Sequence, residues 1–258
     1  MALNGETITL TFCDSGENHV GMKMLGNKVE EGQGYNVEDL ERIRAFFEEK
    51  GVVCEMHNLG REETEDAFVL IIREGANVFA NLDNLKAELN AFEWDRKYFD
   101  TRRNRVLNKL ARANVCFDSE NEEPDYENKK GRVVGWNSVP EVNKIRNGLM
   151  EIIGEKSNGM VCEGNRYFDL KKCGIGFHGD AERRQVVGVR LGESMRMQWC
   201  WYKKCFAHGN KFEFVFNDGD MYVMSEKAVG SDWKKKNIWT LRHAAGSDKY
   251  LKEKRNTE

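Results

Sequence analysis

The chain has 258 residues, of which 40% are hydrophobic and 32% are charged, and it carries a formal net charge of −3 with a pI near 6.1. These values are typical of a globular protein with a hydrophobic core, and the slightly acidic balance argues against a protein that coats nucleic acid over its whole surface. No apolar run approaches membrane-spanning length, the N-terminus has no secretory pattern, and the seven cysteines lack CxxC spacing, which together predict an intracellular protein, cytoplasmic or nuclear, that does not bind membranes.

The first 92 residues are predicted to form a small α/β domain of unknown role. Alternating or continuous apolar runs predict strands at 7–12, 52–56 and 67–72. Apolar residues at helical spacing predict helices at 37–50 and 82–92, and Gly51 stands where the C-terminal cap of the first helix belongs. Nothing in this segment has the spacing of a catalytic motif.

The composition changes at Trp94. Between Trp94 and Arg112 the chain has seven basic and only two acidic residues, a net charge of +5. One interpretation is a solvated basic face that the acidic loop at 118–125 balances. The other is a positive rim at the mouth of an active site, where Arg96–Arg112 would hold the phosphates of a nucleic acid.

The remainder of the chain is predicted to be mainly β after an amphipathic helix at 139–155. Apolar and polar residues alternate at 195–202 and at 212–216, and Asn217-Asp218-Gly219 predicts a hairpin turn before a strand at 221–224. No helical pattern separates these strands. An antiparallel sandwich or jelly roll is therefore favoured over a doubly wound sheet, and the fold class is α+β.

The segment CGIGFHGDAERR, residues 173–184, fits two different motifs. Gly174, Gly176 and Gly179 match a dinucleotide-binding fingerprint, which requires a helix after the glycines and an acidic residue about twenty positions on. A strand-like segment follows instead, and the alternating Trp/Met strand occupies the position where the acidic residue should be. The sequence therefore argues against nucleotide binding.

The same segment contains two candidate metal ligands. On a strand, residues i and i+2 point to the same side, so His178 and Asp180 are expected to bind one ion together. His243 ends a strand-like segment sixty-five residues downstream and is the candidate third ligand. Two histidines and one carboxylate are the ligands of non-haem iron(II) oxygenases.

These residues belong to a series of motifs that resembles the AlkB-like branch of the iron(II)- and 2-oxoglutarate-dependent dioxygenases. Asn165-Arg166-Tyr167 followed by His178-Gly-Asp180 resembles the N-x-Y…H-x-D signature of that branch. The segments 189–196 and 219–225 resemble its Leu-Gly strand before an arginine and its Gly-Asp-Leu-x-x-Met segment. The resemblance covers roughly residues 95–258 and implies a double-stranded β-helix (jelly roll) dioxygenase domain at 93–258, with a substrate-covering lid at 94–140.

The resemblance also implies the cofactors and their ligands. His178, Asp180 and His243 would bind Fe(II), while Asn165 and Tyr167 would hydrogen-bond the carboxylates of the cosubstrate 2-oxoglutarate, with O2 as oxidant. The family has an arginine about a dozen residues past the distal histidine that binds the far carboxylate. Arg255 stands at that distance, in a polar segment unlike a buried closing strand, and the alternatives are Lys249 and Lys252.

The implied function is demethylation or hydroxylation of nucleic-acid bases by an iron(II)- and 2-oxoglutarate-dependent dioxygenase. Base-modifying enzymes need a basic rim and rings on which a flipped base can stack. The basic stretch supplies the rim, and Trp136, Phe177 or Trp199 would supply the ring. The alternatives are a hydroxylase of protein side chains or small molecules, and a non-enzymatic metal-binding jelly-roll module.

Overall fold

The computed structural model of the protein describes residues 3–253, in which strands outnumber helices. The strands are β1 Thr7–Cys13, β2 Ser15–Glu17, β3 Met24–Gly26, β4 Cys54–Asn58, β5 Phe68–Ile72, β6 Lys97–Asp100, β7 Arg105–Asn108, β8 Ala113–Asp118, β9 Val133–Gly135, β10 Val161–Tyr167, β11 Gly174–His178, β12 Val186–Gly192, β13 Met195–Lys203, β14 Phe206–Phe216, β15 Met221–Met224 and β16 Thr240–Gly246. The α-helices are α1 Val37–Glu49, α2 Leu82–Leu89, α3 Pro140–Ile153 and α4 Glu226–Val229. Short 3-10 helices lie at Gly75–Val78, Trp136–Ser138 and Gly154–Ser157.

The strands form two main sheets and two ribbons. The large sheet has eight strands in the order β4-β5-β15-β12-β1-β10-β8-β9, and the small sheet has four in the order β11-β16-β13-β14. The pairs β2–β3 and β6–β7 form the ribbons. Strand pairs in the large and small sheets are antiparallel except for β8 and β9, which are parallel. The described chain is therefore a mixed α+β structure rich in antiparallel sheet, as the sequence predicts. No helix within residues 3–253 is long and apolar enough to cross a membrane.

Strand β1 shows how the layers arise from the sequence. In TITLTFC, the apolar residues Ile8, Leu10 and Phe12 alternate with threonines. The apolar set belongs to a core cluster with residues of α1, α2 and α3, such as Leu40, Leu85 and Ile145, so the helices cover one face of the large sheet. A second cluster joins residues of both sheets, such as Tyr222 and Trp199, so the small sheet covers the other face.

The boundary predicted at residue 92 does not divide the large sheet. Strand β1 lies between β10 and β12, and β5 pairs with β15. Strands from the first 92 residues are therefore interleaved with strands from the rest of the chain. The two stretches share one sheet and one core. Local sequence patterns do not encode such long-range pairing, which is why residues 1–92 look self-contained when read alone.

Two further expectations differ from the structure. The turn at Asn217-Asp218-Gly219 joins β14 of the small sheet to β15 of the large sheet, so it is not a hairpin turn between paired strands. The region 94–140, predicted as a lid, includes β8 and β9, which are strands of the large sheet. Buried residues of β8, such as Phe117, hold that part in the core.

Candidate metal centre and its cavity

A cavity of about 690 Å³ lies between the two sheets. Its walls include inward-facing residues of the large sheet, such as Thr9 and Asn165, and of the small sheet, such as Met197. His178, Asp180 and His243 line the same cavity. The size falls within the range of small-molecule and cofactor sites, about 300–1,000 Å³.

The structure brings the three predicted metal ligands together. Each offers one ligand atom, and these atoms lie within 4.8 Å of one another. Asp180 Oδ1 is 3.3 Å from His178 Nε2 and 3.5 Å from His243 Nε2. Within residues 3–253 this is the one group of three or more histidine, cysteine or carboxylate side chains with such spacing.

Strand pairing and a close backbone approach position these ligands. His178 is the last residue of β11 and lies directly across from His243 of β16. Asp180 lies just past the end of β11, rather than on the strand as the sequence suggests, and its amide donates a hydrogen bond to the Val229 carbonyl, 3.1 Å away. Between the two ligands, Gly179 packs so closely on Gly230 that a Cβ would overlap the Gly230 carbonyl oxygen.

Hydrogen bonding and electrostatics favour the protonation states that bind a cation. The Nδ1 atom of His178 is 2.8 Å from the Gly176 carbonyl oxygen, and donation there leaves Nε2 as the free lone pair. Burial lowers the pKa of His243 despite the nearby Asp180 carboxylate. Burial opposes ionisation of Asp180, but Arg183 and His243 outweigh it and hold the pKa of Asp180 well below its usual range. The shifts favour an ionised Asp180 carboxylate and a neutral His243 imidazole, the forms in which these two side chains bind a metal ion.

Behind Asp180 lies a buried charge network that the sequence did not reveal. Arg183 Nε is 3.6 Å from Asp180 Oδ2, and the other end of the guanidinium contacts Glu163 at 2.5 Å and Glu182 at 2.7 Å. The Arg183 side chain is 5% exposed and that of Glu163 is 9% exposed. In the sequence, the one indication of this network is that Arg183 follows Asp180 by only three residues.

The two predicted cosubstrate ligands lie on β10 and line the cavity. The Asn165 amide oxygen already accepts hydrogen bonds from Arg112 Nε at 2.6 Å and from Asn114 Nδ2 at 2.5 Å. Its amide nitrogen donates to Glu163 at 3.1 Å, which leaves one N–H, since the group has two. Tyr167 is buried, and burial raises the pKa of its hydroxyl.

The structure describes two of the three candidates for the far-carboxylate ligand. Arg255 lies outside the described residues. Lys249 and Lys252 are exposed, and neither lines the cavity. Another basic residue, Arg190 of β12, is buried and does line it. In the sequence, Arg190 stands out because it is the one charged residue, at an inward-facing position, in the otherwise apolar segment 186–191.

The basic stretch is only partly used at the cavity. Arg102, in the turn of the β6–β7 ribbon, and Arg112 line the cavity, whereas Arg103 pairs with Asp100 at 3.7 Å. Lys109 is buried and donates to the Asn18 side chain at 2.5 Å, and burial lowers its pKa to about 8. The stretch is thus neither a uniform rim nor a uniformly solvated face.

The aromatic rings near the cavity are not the ones proposed from the sequence. Trp136 and Trp199 are buried in the two core clusters, and Phe177 packs on Tyr202 outside the cavity lining. The cavity is lined instead by Tyr167, Tyr222 and Trp233. Rings in loops and in apolar strands look alike in a sequence, so this distinction required the tertiary structure.

Comparison with known proteins relates the chain to a protein of a mimivirus. No family model matches the sequence. The chain is 44% identical over 254 residues to "Uncharacterized protein R156" of Acanthamoeba polyphaga mimivirus, an alignment that covers 96% of this chain and 98% of the relative. Identity of this extent over both chains shows common descent, and the protein therefore belongs to the same family as this mimivirus protein.

Proposed function

We propose that the protein is an iron(II)- and 2-oxoglutarate-dependent dioxygenase. The observation that carries the proposal is the grouping of His178, Asp180 and His243 on the wall of a cavity large enough for a cosubstrate and a substrate group. Two imidazoles and one carboxylate bound on one side of an ion leave its other positions open, which is the ligand set of non-haem iron(II) oxygenases. The donor set fits iron(II) because an ionised carboxylate and two imidazole nitrogen atoms, each within 3.5 Å of it, face one another.

The order of the strands supports a double-stranded β-helix. From β10 onward the chain passes back and forth between the sheets, except that β13 and β14 are consecutive and pair with each other. Strands β10, β12 and β15 belong to the large sheet, and β11, β13, β14 and β16 belong to the small sheet. An eighth strand is needed between β10 and β12 to complete two four-stranded sheets, and β1 occupies that place. We propose that β1, from the beginning of the chain, serves as the closing strand of the jelly roll.

Bound iron(II) and 2-oxoglutarate would supply the chemistry that oxidises a substrate C–H bond with O2. In that reaction 2-oxoglutarate would be converted to succinate and carbon dioxide. The chain's own residues hold and orient the reactants. His178, Asp180 and His243 would hold the ion, and the remaining N–H of Asn165 together with the Tyr167 hydroxyl would orient the cosubstrate carboxylates.

The groups at the cavity support nucleic-acid bases as the substrate class. Arg102, Arg112 and Lys234 line the cavity and could contact phosphates, and Trp233 offers a ring for stacking. His19, which also lines the cavity, stacks on Tyr98 with ring centroids 3.7 Å apart, and burial lowers the pKa of His19 to about 4. The stacked His19 ring and the three cations line one cavity, and this combination suits a flipped base and its flanking phosphates.

The test is an anaerobic titration of the metal-free protein, first with iron(II) and then with 2-oxoglutarate, monitored by the visible charge-transfer band of the chelate. The protein and the variant His208→Ala, which changes an exposed histidine on β14, should develop the band, and His178→Ala should not. Absence of the band in folded protein would contradict the proposal. Succinate release with methylated oligonucleotides, compared with peptides, would then test the substrate class.

A further inference from the structure

A row of polar side chains crosses the inner face of the large sheet. Thr9 of β1 pairs with Asn165 of β10 on one side and with Arg190 of β12 on the other, so the three side chains are neighbours on one face. All three line the cavity that contains the candidate metal ligands. A molecule bound at the metal would therefore have this polar row within the same cavity.

Arg190 is a buried cation without an anionic partner. It is 2% exposed, and within residues 3–253 it forms no ion pair. Its guanidinium contacts the weakly accepting sulfur atoms of Met195, at 3.4 Å, and Met197, at 3.7 Å, and lies 5.8 Å from the centroid of the Phe216 ring. Its Nε atom has no hydrogen-bond partner. Arginine does not lose its proton in proteins, and an unpaired buried charge is costly. A bound anion would balance the charge of Arg190.

The comparison with Arg183 shows that Arg190 is unusual even within this cavity. Both guanidinium groups are buried and both line the cavity, but Arg183 contacts Glu163 and Glu182. The charge of Arg183 is thus balanced by the protein itself. The charge of Arg190 is left for a ligand.

Thr9 provides a second unpartnered group at the same place. Thr9 is 4% exposed, and its hydroxyl oxygen is buried with no hydrogen-bond partner among the described residues. The hydroxyl can donate one hydrogen bond, and the guanidinium can donate two parallel ones to the two oxygens of a carboxylate. A carboxylate between Arg190 and Thr9 would satisfy both residues at once.

We propose that Arg190 and Thr9 bind the far carboxylate of 2-oxoglutarate, an inference that rests on the proposed function. His178, Asp180 and His243 would hold the metal that binds the keto-acid end, and the polar row would hold the other end of the dicarboxylate. The resemblance implies this role for Arg255, at the end of the chain. Here the strand between β10 and β12 is β1, whose inward positions are threonines, and the cation comes from the register partner of Thr9.

The experiment compares two keto acids by anaerobic calorimetry on the iron(II)-loaded protein. 2-Oxopentanoate has the keto acid and the chain length of 2-oxoglutarate but lacks the far carboxylate. The protein should bind 2-oxoglutarate more tightly than 2-oxopentanoate by about tenfold or more, because charge-assisted hydrogen bonds to a buried carboxylate are strong. Arg190→Met should lose this preference while its affinities for iron(II) and for 2-oxopentanoate stay unchanged.

The matched control is Arg196→Met on β13, which changes an arginine that pairs with Glu213 at 3.9 Å outside the cavity lining. This variant should keep the preference. Thr9→Val, which removes only the hydroxyl, should weaken 2-oxoglutarate binding and leave 2-oxopentanoate binding unchanged, and it carries the test if Arg190→Met does not fold.

The outcomes separate this inference from the proposed function. If Arg190→Met or Thr9→Val keeps the full preference for the dicarboxylate, the inference is overturned while the oxygenase proposal stands. Loss of the preference in Arg255→Met instead would assign the role to the C-terminal segment and would also overturn the inference. If the unmodified protein does not bind iron(II) through His178, the proposed function itself fails.

Discussion

His178 and His243 are register partners on the adjacent strands β11 and β16, and their ring centroids lie 4.5 Å apart. Asp180 Oδ1 lies within 3.5 Å of the Nε2 atom of each ring. Two ligands are thus placed by strand pairing, which is rigid, and the third by the short segment after β11. The geometry of the site therefore depends on how closely the segment after β11 approaches Gly230.

Gly179 controls this approach, and we expect Gly179→Ala to disrupt the site. A Cβ there would meet the Gly230 carbonyl oxygen and would lie 2.8 Å from the Trp233 Cβ, so the backbone between His178 and Asp180 must shift. Overpacking of this kind costs about 1–3 kcal/mol. Thermal unfolding and iron(II) titration should show lower stability and weaker metal binding.

The matched control is Gly176→Ala, because a Cβ at Gly176 meets only the Tyr250 carbonyl oxygen, at 3.9 Å. This variant should resemble the unmodified protein in both measurements. Equal effects of the two substitutions would contradict the assignment of the close approach to Gly179.

Removal of the Arg183 guanidinium should destabilise the protein strongly. Arg183→Met would leave the buried Glu163 carboxylate without its partner, which typically costs about 3–5 kcal/mol in the free energy of unfolding. Urea denaturation would measure the loss. The double variant Arg183→Met/Glu163→Gln should recover part of it, because the unpaired charge is then gone.

A surface ion pair provides the comparison for this result. Arg44 and Glu48 form an i,i+4 pair at 2.7 Å on α1, with side chains 37% and 44% exposed. Arg44→Met should have a much smaller effect than Arg183→Met in the same assay, because solvent screens exposed pairs. A loss as small for Arg183→Met would argue against the buried network.

The pH dependence of stability should depend on Glu17, which lines the cavity. Burial raises the pKa of Glu17 from its usual 4.5 to about 7. Between these values the folded protein holds a proton that the unfolded chain has released, so this residue makes stability fall as the pH rises from about 4.5 to 7. Above about pH 7 this residue causes no further loss of stability.

Melting temperatures of the protein and of Glu17→Gln, measured from pH 4 to 8, would test this expectation. The glutamine cannot ionise, so the variant should lack the decline between the two pKa values and gain stability relative to the unmodified protein near pH 8. Parallel curves for the two proteins would contradict it.

Arg102 should contribute to oligonucleotide binding if nucleic acid enters the cavity. Arg102 lines the cavity in an exposed turn, whereas the adjacent Arg103, with a side chain 64% exposed, pairs with Asp100 outside the lining. Arg102→Gln should weaken the binding of a single-stranded oligonucleotide and flatten its salt dependence, because one phosphate contact is lost. Arg103→Gln is the matched control. Fluorescence anisotropy at several salt concentrations would show whether the two variants differ.

Much of the secondary structure can be predicted from the sequence, because the spacing of apolar residues in a strand or helix is a local pattern. The alternation of Ile8, Leu10 and Phe12 with threonines predicts β1, and apolar residues at helical spacing predict α1 at nearly its observed bounds. His178, Asp180 and His243 were also identified from residue type and spacing, and the structure brings them within ligand distance of one another. Residue type and short-range spacing are enough to predict β1, α1 and the pairing of His178 with Asp180. His243 stands out for a different reason, because it is a histidine that ends a strand-like segment sixty-five residues downstream.

The partners of each strand were decided only by the tertiary structure. Thr9 pairs with Asn165 and Arg190, which are far away in the chain, and no local pattern encodes those pairings. For this reason residues 1–92 read as a separate domain, the turn at 217–219 read as a hairpin, and Arg190 received no role. Composition and periodicity determined which faces of the strands are apolar. The burial of Arg190 and Thr9 without partners depends on which strands lie side by side, and that arises only when the whole sheet has formed.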